Sequence, residues 1–128
     1  MTVEFQMLLD AAVLAFVLAL VQATGLVLQA GFPAAIGNRE GLAEATGWAG
    51  RAGRAHRNLL ESLVLFAILV IAAHLLEKNS AVTALGAKIF LWGRLAHAVV
   101  YIGGIPYVRT VAWAASVVGM GMILFELI

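Results

Sequence analysis

Four long apolar runs, each about the length that crosses a bilayer, leave this chain few options other than a bundle of membrane-spanning helices. The first extends from Phe5 to Ala30, and its polar interruptions are Gln6, Asp10, Gln22, Thr24 and Gln29. The others cover about residues 52–76, 81–102 and 108–128. Charged residues make up 12% of the sequence, about half the share with which a soluble domain coats its surface. Gly31-Phe32-Pro33 stops the first run, and the second proline, Pro106, falls between the third and fourth. Residues 31–51 read as a solvent-facing connection, longer than most helix–helix connections and for that reason a candidate functional segment. No repeat, low-complexity tract or second domain interrupts the pattern. The expected fold class is all-α: one transmembrane domain, 1–128, of four antiparallel helices.

The same composition excludes several functions. A formal charge of +1 offers no basic field for a nucleic-acid backbone, so nucleic acid is not an expected partner. The absence of cysteine removes disulfides, thiolate catalysis and cysteine-ligated metal centres. No metal site is expected, and thiol chemistry would have to arrive with a ligand. Residues 1–10 hold Glu4 and Asp10 but no base, unlike the basic start of a signal peptide, so the first run reads as a retained span. Arg39, Arg51, Arg54 and Arg57 cluster around the first connection, and Arg109 follows the third. By the positive-inside rule those connections face the cytoplasm and both termini face the other side, with membrane lipid around the spans.

Polar side chains inside a span are expensive and therefore informative. Arg54, Arg57, Asn58 and Glu61 recur at i, i+3, i+4 and i+7 on the second span, and share one helix face. Arg94, His97 and Tyr101 do the same on the third. Glu61 and Arg94 each lie roughly 12 Å into the membrane at 1.5 Å per residue, so they can pair as opposite charges at one depth. Such a pair serves equally well as a structural tie between the second and third spans. The remaining groups, with Arg109, form a cationic pocket suited to a small carboxylate-bearing anion, since arginine offers carboxylates a fork of donors. Glu61 is suited to an ammonium group. Arg54 and Arg57 also fit the plainer role of interfacial anchors, and Arg51 fits it best. His56 and His97 stand at different depths, which argues against haem ligation. His74 and Glu77 read as solvated caps at the far interface, Trp48, Trp92 and Trp113 as packing or interface residues, and Asp10 has no evident partner. The clustering of polar groups toward one face argues against a conduction path, which needs them through its full depth.

The segment Arg54-Ala-His-Arg-Asn58-Leu-Leu-Glu61 resembles the helix-2 signature of the MAPEG family, the membrane-associated proteins of eicosanoid and glutathione metabolism. Arg94-Leu-Ala-His97-Ala-Val-Val-Tyr101, followed by Gly-Gly-Ile-Pro106-Tyr-Val-Arg109, resembles the helix-3 to helix-4 signature of the same family, in the same order. The resemblance covers nearly the whole chain and is nearest to the short bacterial branch, which implies a bacterial inner membrane. It implies a homotrimer with glutathione, the co-substrate, bound between subunits near the cytoplasmic face. By motif, Arg54, Arg57, Asn58 and Glu61 would hold its carboxylates and amine. Arg94, His97, Tyr101 and Thr110 would line the site, and Arg109 would stabilise its thiolate as the catalytic residue. The implied activity is a glutathione S-transferase or peroxidase acting on hydrophobic small-molecule electrophiles. The alternative is a non-enzymatic member of the fold that binds a lipid, a small anion or a protein partner. Two departures bear on that choice. The stretch Gly25-Leu-Val-Leu-Gln29 lacks the arginine that several family enzymes carry there, leaving Arg39 as the nearest substitute, and Trp113 stands where some members carry a tyrosine.

Overall fold

The computed structural model describes all 128 residues, and its regular structure is all helix, with no strand. Helices α1 (Val3–Ala30), α3 (Gly47–Leu75), α4 (Ala81–Ile102) and α5 (Val108–Leu127) are each long and apolar enough to span a membrane. A five-residue helix α2 (Phe32–Ile36) follows α1. The order is up-down-up-down, with the C-terminal ends of α1 and α4 beside the N-terminal ends of α3 and α5.

The first connection is shorter and more ordered than the expected loop over 31–51. Pro33 sits in the first turn of α2, where its fixed φ and missing N–H fit a helix start. Helix α3 begins at Gly47 rather than near residue 52. Three glycines at 47, 50 and 53 carry poor helix propensity, which hid this turn in the sequence. Tertiary contact overrides propensity here. The Gln29 side chain accepts from the Thr46 amide at 2.9 Å and donates to the Thr46 carbonyl at 2.8 Å, pinning the start of α3 to the end of α1. Gly25 and Gly53 then let α1 and α3 approach at Ala49 and Gln22.

The core forms where α1, α3, α4 and α5 converge. Ala11, Phe66, Val70, Ala87, Phe90 and Ile123 are fully buried together, and the Phe66 and Phe90 rings stack with centroids 3.9 Å apart. A second cluster, Ala15, Leu18, Leu59 and Ala98, lies toward the arginine-rich end. Helices α4 and α5 share the most extensive contact, made by small residues: Gly86 lies against Gly119, and Gly93 against Ala112 and Ser116. Large apolar side chains such as Phe16, Val64, Ile68, Val118 and Phe125 point outward, as expected of helices bathed in lipid.

The end opposite the arginines is tied by polar contacts. Glu4 is 3% exposed and accepts from the Thr83 hydroxyl at 2.6 Å, joining α1 to the first turn of α4. Ser80 caps α4 through a reciprocal capping box with Thr83, and its hydroxyl also donates to Glu126 at 3.2 Å. Asp10 does have a partner: it accepts from the Gln6 side chain one turn earlier, at 2.9 Å. His74 is exposed and meets the Phe5 ring edge-on, so it is more than a solvated cap.

Candidate functional site

At the arginine-rich end, α3, α4 and α5 enclose an open cavity of about 240 Å³ lined by Asn58, His97, Tyr101, Arg109, Thr110 and Trp113. Helical spacing explains its walls. His97 and Tyr101 are one turn apart on α4, with ring centroids 5.3 Å apart. Arg109, Thr110 and Trp113 occupy the first turns of α5, placed by the tight connection from α4. The Arg109 guanidinium lies 4.5 Å from the centroid of the Tyr101 ring, a cation–π contact worth about 0.5–2 kcal/mol that fixes where the charge sits.

Arg94 stands behind this cavity and decides its polarity. It is 1% exposed, and its Nη2 donates to Asn58 Oδ1 at 2.5 Å, while Nε and Nη1 have no partner. Arginine can only donate, so the Asn58 carbonyl must face Arg94. The amide nitrogen of Asn58 is thereby left to serve the cavity as a donor. Of the other lining residues, Arg109 and Trp113 carry donors only, while Tyr101, Thr110 and His97 can donate as well as accept, so donors predominate and the cavity is suited to an acceptor-rich or anionic guest.

The expected pairing of Glu61 with Arg94 does not form. Glu61 is exposed on α3, and Arg94 bonds to Asn58 instead. At 100° per residue, Asn58 lies at the edge of the α3 stripe nearest α4, whereas Glu61 is rotated about 60° away from it. The stripe is also wider than one pocket. Arg54 and Arg57, from its other side, line a separate groove of about 360 Å³ between α1, α3 and the first connection, together with Arg39 and Glu44. Arg39 is held there by its own Nε bond to the Ala35 carbonyl at 2.8 Å.

Two residues have a further part at this end of the bundle besides the packing or anchoring role the sequence suggests. Trp113 forms a cavity wall, for which its i+4 spacing from Arg109 was the available signal. Arg51 is half-buried and donates from Nε to the Ile102 carbonyl at 2.9 Å, so it has a partner within the bundle. No sequence pattern announces that contact.

The Asn58–Arg94 bond is open to measurement. Unfolding of Asn58→Ala, Arg94→Met and the double variant in detergent should give a coupling energy of about 1.5–3 kcal/mol, the range for a hydrogen bond to a charged group. Strictly additive effects would show that the two side chains act independently.

The fold and the cavity together define an integral membrane four-helix bundle with a polar, donor-lined pocket at one end. The MAPEG family model matches residues 7–128, nearly the whole chain, and the protein belongs to that family. No curated protein and no solved structure matches it.

Proposed function

We propose that this protein is a membrane-bound glutathione S-transferase or peroxidase acting on hydrophobic electrophiles that enter from the bilayer. The observation that carries this reading is the Arg109 guanidinium, fixed over Tyr101 at a cavity dominated by donors. A cation beside a thiol favours its anion, and the thiolate is the nucleophile. Arg109 is the catalytic residue in this reading, with Thr110 and Tyr101 as hydroxyl donors beside the sulfur. In the transferase reaction the thiolate forms a C–S bond as the leaving group departs or the epoxide opens. In the peroxidase reaction it attacks the O–O bond, giving an alcohol and a sulfenic acid that a second glutathione reduces.

Asn58 presents its amide donor to the peptide part of glutathione, and Arg94 acts through Asn58. His97 closes the cavity floor, 3% exposed. Arg54, Arg57 and Glu61 are outside this cavity but flank Asn58 within one helical turn, where they reach the carboxylates and amine of a longer ligand. The cavity is smaller than the roughly 300–1,000 Å³ of typical ligand pockets. The missing walls are supplied by a neighbouring copy in a homotrimer and by lipid. The arginine-rich end faces the cytoplasm by the positive-inside rule, with both termini on the other side of a bacterial inner membrane.

Calorimetry with reduced glutathione on detergent-purified protein, with thiolate formation followed by ultraviolet absorbance on the same sample, tests the proposal. Saturable binding with a thiol pKa below that of free glutathione is expected. No binding at millimolar glutathione would overturn it and leave the non-enzymatic reading, in which the donor-lined cavity takes another anion.

A further inference from the structure

We infer that Arg51 is a positioning residue, clamping the α4–α5 connection against α3 and so setting where Arg109 lies; this rests on the thiolate role proposed for Arg109. Arg51 does not line the cavity. Its Nε donates to the Ile102 carbonyl at 2.9 Å, the last residue of α4, where unpaired carbonyls and the negative end of the helix dipole favour a cation. Its guanidinium lies against Gly104: a Cβ at that residue would come within 3.4 Å of the Arg51 Cζ and Nε. Gly104 has φ +76°, a left-handed conformation that favours glycine, and the arginine packs at van der Waals distance over the place a Cβ would take.

Beyond Gly104 the chain has little freedom left. The amides of Gly103, Gly104 and Ile105 bond back to the carbonyls of Val99, Tyr101 and Val100, each at 3.0 Å. Tyr107, at φ 66° and ψ −51°, is the centre of a γ-turn closed by the Val108 amide on the Pro106 carbonyl at 2.7 Å. That conformation is strained for a residue with a Cβ, and it persists only where the surroundings hold it. Arg109 follows two residues later. The path from the Arg51 anchor to the Arg109 guanidinium therefore runs through a short segment whose turns are hydrogen-bonded and whose entry Arg51 holds.

The test compares the parent chain with Arg51→Met, Arg51→Lys and Gly104→Ala, all in detergent. Two readouts are taken: hydrogen exchange of the amides of residues 103–110, and the thiolate fraction of bound glutathione at neutral pH. Arg51→Met should speed exchange in that segment about tenfold and lower the thiolate fraction several-fold, because the segment opens locally and Arg109 leaves its place. Gly104→Ala keeps the arginine and its charge but strains the φ +76° backbone on which the arginine rests, and should give a smaller change of the same paired kind. Arg51→Lys reaches the Ile102 carbonyl and should restore part of both. The inference is overturned if exchange rises with the thiolate unchanged, or if the thiolate is lost with exchange unchanged. A parent chain that forms no thiolate would instead overturn the proposed function, and the exchange measurements would still decide whether the clamp exists.

Discussion

Arg109→Ala should lower glutathione-dependent turnover by about 10²–10³-fold, the usual cost of removing one preorganised group that stabilises developing negative charge. The mechanism predicts where the loss falls. The thiolate absorbance of the bound ligand should disappear, while ligand affinity falls much less, because in the proposed binding mode Asn58 and the arginines of α3 hold other parts of the molecule. Stability should change little. The guanidinium is half-buried, and its one aromatic contact, with Tyr101, is worth about 0.5–2 kcal/mol. Arg109→Lys is a sharper variant. It keeps the charge but loses the planar group that lies on the Tyr101 ring, so an intermediate thiol pKa is expected. Turnover of Arg109→Ala equal to that of the parent, with the thiolate intact, would remove this residue from the chemistry.

The four spans were legible because their signal is long apolar length, which no competing local preference disturbs. The start of α3 was not, because glycines 47, 50 and 53 oppose a helix locally and only the Gln29 and Gln22 contacts across to α1 reveal why it forms. The polar stripes were legible as faces, since i, i+3 and i+4 spacing needs no knowledge of neighbours. Which neighbour each edge of a stripe meets was not. Asn58 and Arg57 are adjacent in sequence yet 100° apart on the helix, and they open into different cavities. The same ambiguity explains Glu61, whose matching depth with Arg94 says nothing about rotation. Arg51 is the clearest case of the limit. Its partner is a backbone carbonyl at the end of another helix, and every residue type carries a carbonyl. Glu4 was hidden for a related reason: its acceptor role depends on a threonine hydroxyl 79 positions away.

Gly119→Leu should be among the most destructive single substitutions in the chain, because it acts where the helices touch. A Cβ on Gly119 would stand 2.8 Å from the Phe90 amide nitrogen, and one on Gly86 would stand 2.6 Å from the Gly119 carbonyl oxygen. Both neighbours are backbone atoms, which cannot rotate away as a side chain can, so the helices must separate. Overpacking of this kind costs about 1–3 kcal/mol and more where backbone must move. The lipid does not compensate: its tails are as apolar as leucine, so close packing rather than hydrophobic burial holds spans together. Separation would also part α5, which carries Arg109 and Trp113, from α4, which carries Tyr101 and His97, so the cavity should be lost with the fold. Thermal unfolding in detergent should therefore show Gly119→Leu as aggregated or strongly destabilised, and Gly119→Ala as destabilised by a smaller amount. Gly121→Leu is the matched control on the same helix, since a Cβ there meets nothing within 4 Å. Equal stability of the two leucine variants would show that α4 and α5 are not held by this contact, and would place the support for Arg109 in the Arg51 clamp and the turn at Tyr107 instead.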